Sequence, residues 1–266
     1  MPMVEVNGTQ LHYTDVGSGP RTVVFGHGLL WSGEMFGPQV DALRDRFRCI
    51  AVDWRGQGRS AVADTGYDMD TLTEDLVALI DHLGIAPVDY VGLSMGGFIG
   101  MRLAARHPEL VRSLALLETS AEPEPAQNVP AYRKLAQVVR FVGPRPVAGR
   151  VMPIMFGQTF LTDPSRAAER VEWRRRLNSV DRVGAVRATH GVIDRVGITD
   201  ELAQITAPTL VLVGDEDVAT VPDKARRIQA GIPGSQLVIV PHAGHTSTIE
   251  QPTAVTAALE QHLART

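Results

Sequence analysis

Three short stretches hold residues that could act together chemically. Residues 88–100 read VDYVGLSMGGFIG, and Gly92-Leu93-Ser94-Met95-Gly96 within them fits G-x-S-x-G. That pattern suits a serine at the tip of a sharp strand-to-helix turn, with glycines where a β-carbon would meet neighbouring backbone. A serine hydroxyl is a weak nucleophile until a base takes its proton. Further along, Val211-Leu212-Val213-Gly214-Asp215-Glu216-Asp217 ends an apolar run in acids, and Val238-Ile239-Val240-Pro241-His242-Ala243-Gly244-His245 ends another in histidines. The order serine, acid, histidine is the one expected when a G-x-S-x-G turn serves nucleophilic catalysis. A phosphate-cradling loop fits poorly. A dinucleotide fingerprint would need glycine where Ser94 stands, and a P-loop would need a lysine that is absent here. A purely structural turn is the plain alternative for the pentapeptide alone.

Such side chains must be delivered by elements that end close together. Residues 22–25, 49–52, 88–91, 114–117, 210–213 and 237–240 are short apolar runs rich in β-branched residues. Such runs suit strands buried on both faces of a parallel sheet. Val4, Val6, Leu11 and Tyr13 alternate with polar residues around Asn7-Gly8, which predicts a β-hairpin. Leu72, Leu76, Leu79, Ile80 and Leu83 follow helical spacing, with Gly84 placed as a C-terminal cap. Helices are also expected over 98–106 and 253–263. The alternation predicts an α/β fold, a mostly parallel doubly wound sheet with helices on both faces. Its strand ends are where open α/β sheets place their sites. Residues 120–203 break the pattern: a proline-rich acidic loop leads into helical segments at 132–141, 167–177 and 183–196. We read this as a helical cap inserted after the sixth strand, with 1–119 and 204–266 forming the core domain.

Composition narrows the function. The chain has 266 residues, 44% hydrophobic and 21% charged, with a formal net charge of -4. That balance argues against a nucleic-acid partner, which favours basic patches. Arg174-Arg175-Arg176, beside Glu169 and Glu172, reads as a solvated helix face. The single cysteine, Cys49, lies in an apolar run and reads as a small buried hydrophobe. No stretch approaches a membrane span and no signal peptide is evident, so a cytoplasmic location is expected. No His, Cys or carboxylate cluster has metal-ligand spacing, and neither a metal nor a cofactor is expected.

With these residues assembled, the chain resembles the α/β-hydrolase family with a helical cap, along nearly its whole length. His27-Gly28-Leu29 resembles the family's oxyanion loop H-G-x, and residues 53–60, DWRGQGRS, resemble D-x-R-G-x-G-x-S. Gly214 to Asp217 resembles G-x-x-D, and Gly244-His245 resembles the G-H that carries the base. The resemblance implies Ser94 as nucleophile, His245 as base and then acid, and Asp217 as orienting carboxylate. Asp215, Glu216 and Glu118 are alternative acids, and His242 is a rival base. It further implies an oxyanion hole from the backbone N–H groups of Leu29 and Met95. His27, Asp53, Arg55 and Gly56 are expected to be loop architecture. Leu30, Trp31, Met152 and Phe156 are candidate substrate-binding residues, with Met155 and Phe160 as further residues of the roof. The expected function is hydrolysis of small to medium, largely apolar carboxylic esters or lactones. Carbon–carbon bond hydrolysis and cofactor-free perhydrolysis would use the same triad. A non-catalytic ligand-binding protein on the same fold is the reading from another class.

Overall fold

The structure is a computed structural model and describes residues 2–266. Its eight strands are β1 (Met3–Val6), β2 (Thr9–Val16), β3 (Thr22–Gly26), β4 (Arg48–Val52), β5 (Val88–Leu93), β6 (Val111–Leu117), β7 (Thr209–Gly214) and β8 (Gln236–Val240). They form one sheet in the order β1-β2-β4-β3-β5-β6-β7-β8. β1 and β2 pair antiparallel across the two-residue turn Asn7-Gly8, and β2 runs antiparallel to β4. Every pairing from β4 through β3, β5, β6 and β7 to β8 is parallel. Each of the six apolar runs is therefore the core of one strand.

The period of two along these strands divides the core between the two faces of the sheet. Val24, Ile50, Tyr90, Leu114, Leu116, Val211 and Val213 face one apolar cluster. Val23, Cys49, Val91, Ala115, Leu117, Leu210 and Leu212 face the other. The first cluster is closed by α2 (Met69–Leu83), α3 (Met95–Arg106) and α9 (Pro222–Gly231), the second by α1 (Gly37–Leu43) and α11 (Pro252–Leu263). Burying one such leucine stabilises the fold by about 1.5–3 kcal/mol. Asp68 caps the start of α2 by accepting the Thr71 N–H at 2.8 Å, and Gly84 ends it in the left-handed conformation. β8 departs from the expected two-sided burial: its residues are mostly half-buried or exposed, with Ile239 39% exposed. The cause is position, because β8 pairs only with β7 and forms the sheet edge.

Between β6 and β7 the chain makes no strand. It forms α4 (Val129–Val142), α5 (Ala148–Met155), α6 (Gln158–Thr162), α7 (Ala167–Asn178) and α8 (Arg182–Ile193). α5 and α6 were not evident in the sequence. Pro153 inside α5 masks its period, and α6 is only five residues long. A last short helix, α10 (Ser247–Glu250), precedes α11. Among the described residues, no helix is long and apolar enough to cross a membrane.

Candidate active site

Ser94 sits in the turn from β5 to α3 with φ 52° and ψ -109°. A β-branched or bulky side chain would be strained there, and the surroundings hold the residue in place. Its N–H donates to the Leu117 carbonyl at 2.8 Å, and its own carbonyl accepts from Thr119 Oγ1 at 2.8 Å. A β-carbon at Gly92 would overlap the Gly96 carbonyl, and one at Gly96 would overlap the carbonyl of Gly26 in β3. The two glycines of the motif are thus steric requirements of the turn.

Asp217 follows β7 and His245 follows β8, so all three side chains gather at the C-terminal ends of parallel strands. His245 Nε2 lies 2.9 Å from Ser94 Oγ, and His245 Nδ1 lies 2.9 Å from Asp217 Oδ2. The hydrogen-bond network assigns the tautomer. Asp217 Oδ1 accepts the N–H groups of Ala219 (2.8 Å) and Thr220 (2.9 Å), and Oδ2 accepts Thr220 Oγ1–H (2.7 Å). An ionised carboxylate accepts all of these, so Nδ1 carries the imidazole proton and Nε2 faces the serine as acceptor. Burial pushes the Asp217 carboxyl up. The adjacent His245 ring and the hydrogen bonds from His245 and Thr220 outweigh it, and the net pKa is lowered. All three side chains are almost wholly buried.

The rival groups stand elsewhere. Asp215 has only a 3.4 Å contact with the Ala243 N–H, and Glu216 accepts the Thr159 N–H at 2.8 Å, tying α6 to the β7 end. His242 is exposed, and its carbonyl accepts from Gln251. Glu118 is fully buried with φ 42°, and neither carboxyl oxygen has a hydrogen-bond partner among the described residues. Burial, reinforced by the charges of Asp217 and Glu250, pushes its pKa well above the carboxylate range. Glu118 is therefore a buried neutral acid behind Asp217, with no bond to His245.

Met95 opens α3, where a helix N–H has no acceptor along its own helix. Neither the Met95 N–H nor the Leu29 N–H meets an acceptor among the described residues. The neighbouring Leu30 N–H is already used, donating to Gln57 Oε1 at 2.7 Å. His27 shapes this loop. The Trp54 N–H donates to its Nε2 (3.0 Å), so Nδ1 carries the proton and donates to the Gly28 carbonyl (2.7 Å). Burial lowers its pKa against the pull of Asp53 and that carbonyl, keeping it neutral. Asp53 accepts the N–H groups of Gly33 (2.7 Å) and Arg59 (2.9 Å), and Arg55 is ion-paired with buried Asp75 at 2.5 Å. These are loop supports.

Ser94 and His245 open onto a cavity of about 140 Å³ walled chiefly by apolar side chains. Leu29, Leu30 and Trp31 line it, as do Met155 and residues of α4 and α8. Met152 and Phe156, expected on the roof, do not reach it. Phe156 stacks on Phe160 with ring centroids 4.6 Å apart and packs edge-on against Trp31, while Met152 is buried in the same apolar cluster. Met155 belongs to that cluster too yet lines the cavity, a distinction that helical spacing interrupted by a proline leaves open.

Several site residues escaped the sequence reading. Thr220 binds both Asp217 and His245 Nδ1, the latter at 3.1 Å. Glu250 accepts the N–H groups of Gly157 (2.8 Å), Gly244 (3.0 Å) and Thr246 (3.1 Å), tying the histidine loop to the end of α5. The only signal for Glu250 is an acid in the otherwise uncharged run STIEQP. Arg195, Glu124 and Tyr132 also line the cavity. Among the described residues, no group of three or more His, Cys, Asp or Glu could hold a metal ion.

A parallel sheet, a serine turn of this geometry and a histidine between serine and carboxylate define a hydrolase-type fold. Residues 21–252 match the family described as alpha/beta hydrolase fold, and the chain belongs to that family. It is 29% identical over 256 residues to 3-oxoadipate enol-lactonase 2 of Acinetobacter baylyi, a match covering 96% of this chain and 93% of the relative. The structure is similar to that of a thermophilic esterase from Thermogutta terrifontis, with TM-score 0.92 and 31% identity over 100% of this chain and 99% of that one. It is equally similar to the enol-lactonase from Burkholderia xenovorans LB400, with TM-score 0.92 and 30% identity over 99% and 100% of the two chains.

Proposed function

We propose that the protein is a carboxylic ester hydrolase, acting on esters or lactones of small to medium, largely apolar acids through an acyl-enzyme on Ser94. One observation carries this reading: His245 Nε2, unprotonated by the tautomer assignment, stands 2.9 Å from Ser94 Oγ at the floor of an apolar cavity. The enol-lactonase and esterase relatives support the bond class.

Ser94 Oγ attacks the acyl carbon as its proton passes to His245 Nε2. The carbonyl oxygen becomes an oxyanion, held by the free N–H groups of Leu29 and Met95. One such donor is worth about 2.7–4 kcal/mol in comparable sites. Asp217 stabilises the imidazolium that forms. As the intermediate collapses, Nε2–H protonates the departing alkoxide, which in a lactone stays tethered to the acyl group. Water then gives its proton to Nε2 and attacks the acyl carbon, and a second collapse frees the acid and restores Ser94. In this reading residues 120–203 are the cap whose helices α4, α5 and α8 shape the substrate space. The location is proposed as cytoplasmic, in keeping with the composition.

The test is a panel of p-nitrophenyl esters and simple lactones, run with the wild type and Ser94→Ala. We expect turnover to fall by roughly 10³-fold or more while the fold persists. A serine-directed phosphonate should add its mass to the wild type and not to the variant. Equal turnover in both proteins would defeat the assignment.

A further inference from the structure

The cavity wall is not wholly apolar. Arg195 and Glu124 both line it, with Arg195 Nη1 2.9 Å from Glu124 Oε2 and side chains only 2% and 9% exposed. The hydrolytic steps above leave this pair without a task. Part of its role is structural, because it clasps the two ends of the segment between β6 and β7. Arg195 Nε donates to the Glu122 carbonyl at 3.1 Å, and Nη1 also donates to the Val192 carbonyl at 2.8 Å.

The clasp accounts for Nε and Nη1 only. Nη2, with its two N–H groups, has no acceptor among the described residues. Nη2 is not sealed off, so a ligand acceptor entering the cavity can reach a charged donor that is already held in place. The guanidinium is held in place, lying over the Phe98 ring 4.3 Å from its centroid. Tyr132 lines the same cavity, and its hydroxyl also lacks a hydrogen-bond partner among the described residues. Burial and the charge of Glu124 push its pKa up, partly offset by Arg195, so it stays a donor.

The charge balance selects the ligand. Glu124, which also accepts from Asn128 Nδ2 at 2.9 Å, already neutralises Arg195. Lys224 is nearby but lies outside the cavity lining, its ammonium 3.4 Å from the Ala219 carbonyl. A carboxylate at Nη2 would bring a second negative charge beside Glu124 into a space walled chiefly by apolar side chains, at a desolvation cost the spent guanidinium charge cannot offset. A neutral carbonyl oxygen accepts the same N–H groups and adds no charge.

We propose that Arg195 is a specificity-determining residue that binds a second, neutral carbonyl oxygen of the substrate, away from the bond that is cleaved. This rests on the proposed ester or lactone hydrolysis. The substrate class is then an oxo-substituted acyl or lactone chain.

The test uses p-nitrophenyl levulinate and its next two longer oxo homologues. Each is compared with the alkanoate ester of equal length and with the half-ester of the equally long dicarboxylic acid. In the wild type, at least one oxo ester should exceed its alkanoate in kcat/KM by about tenfold, the scale of a hydrogen bond to a charged donor. The half-esters should fall below the alkanoates. Arg195→Met combined with Glu124→Gln, which leaves no unpaired buried charge, should bring the oxo-to-alkanoate ratio to about one. Equal rates for oxo ester and alkanoate at every length, preference for a half-ester, or a preference that survives the double substitution would overturn the proposal. Failure of the hydrolase reading shows separately, as alkanoate turnover equal in wild type and Ser94→Ala. A binding measurement needs neither turnover nor the double variant. Calorimetry on Ser94→Ala should show the methyl ester of at least one of these oxo acids binding about tenfold more tightly than the methyl alkanoate of equal length, since both offer an ester carbonyl and only the first offers a second one. Equal affinities at every length would overturn the proposal.

Discussion

Asp217→Asn tests the site without altering its size. In the wild type the carboxylate accepts four donors. Oδ1 takes the N–H groups of Ala219 and Thr220, and Oδ2 takes Thr220 Oγ1–H and His245 Nδ1–H. An asparagine has one acceptor oxygen and one NH₂ group, so it must choose between the two sides. Turning NH₂ toward the backbone would face it with two fixed N–H donors, at about 1–3 kcal/mol for each lost bond. Turning NH₂ toward Thr220 and His245 is cheaper, because a hydroxyl can rotate and an imidazole can move its proton. The second orientation therefore wins. It forces His245 Nδ1 to accept and places the proton on Nε2, facing Ser94, where it can no longer receive the serine proton. A wrong tautomer of this kind lowers kcat by about 10⁴-fold in a serine protease, and we expect a loss of similar order here. The assay is steady-state hydrolysis of p-nitrophenyl butyrate, with circular dichroism to confirm the fold. Retention of about one-tenth of wild-type kcat or more would refute the tautomer argument. The stability effect has a definite sign. Asp217 has a lowered pKa in the fold, so its contribution is present above the unfolded carboxylate pKa and lost as pH falls through the folded value. The advantage of the wild type over the variant should accordingly shrink in acid.

Two further substitutions probe the supports. Gly96→Ala places a β-carbon against the Gly26 carbonyl, a backbone atom within the sheet; we expect a loss of about 1–3 kcal/mol in chemical denaturation together with reduced activity, and a variant as stable and active as the wild type would contradict the steric account of the turn. Glu118 has a raised pKa, so the fold keeps a proton that the unfolded chain releases, and its contribution to stability declines as pH rises above the unfolded value. Glu118→Gln cannot ionise in either state, so the stability of the variant relative to the wild type should increase between about pH 4 and about pH 7; a difference that stays constant over that range would show that Glu118 ionises freely in the fold.

Much of this architecture is legible in the chain because parallel strands buried on both faces must be apolar throughout. The runs from 22–25 to 237–240 each became a strand, and the polar residues that end two of them became the acid and the histidine beside Ser94. Weakly periodic elements were harder to read. α9, PDKARRIQAG, buries little more than Ala225 and Ile228, and α5 carries a proline in its interior. Local pattern records how much apolar surface a segment needs to bury, so segments that bury little leave little trace.

The sequence by itself determined the order of the strands along the chain and the steric demand at Gly92 and Gly96, and it marked Ser94, a few acids and two histidines as candidates. These depend on side-chain type and short-range spacing. Tertiary structure alone decided that Asp217 rather than Glu118 meets His245, and that Thr220 and Glu250 brace the two loops. It also decided that Met155 lines the cavity while Met152 and Phe156 do not, and that Arg195 reaches Glu124 across 71 residues. Those outcomes turn on a few ångströms between segments far apart in the chain. Packing sets such distances, and no local pattern encodes them.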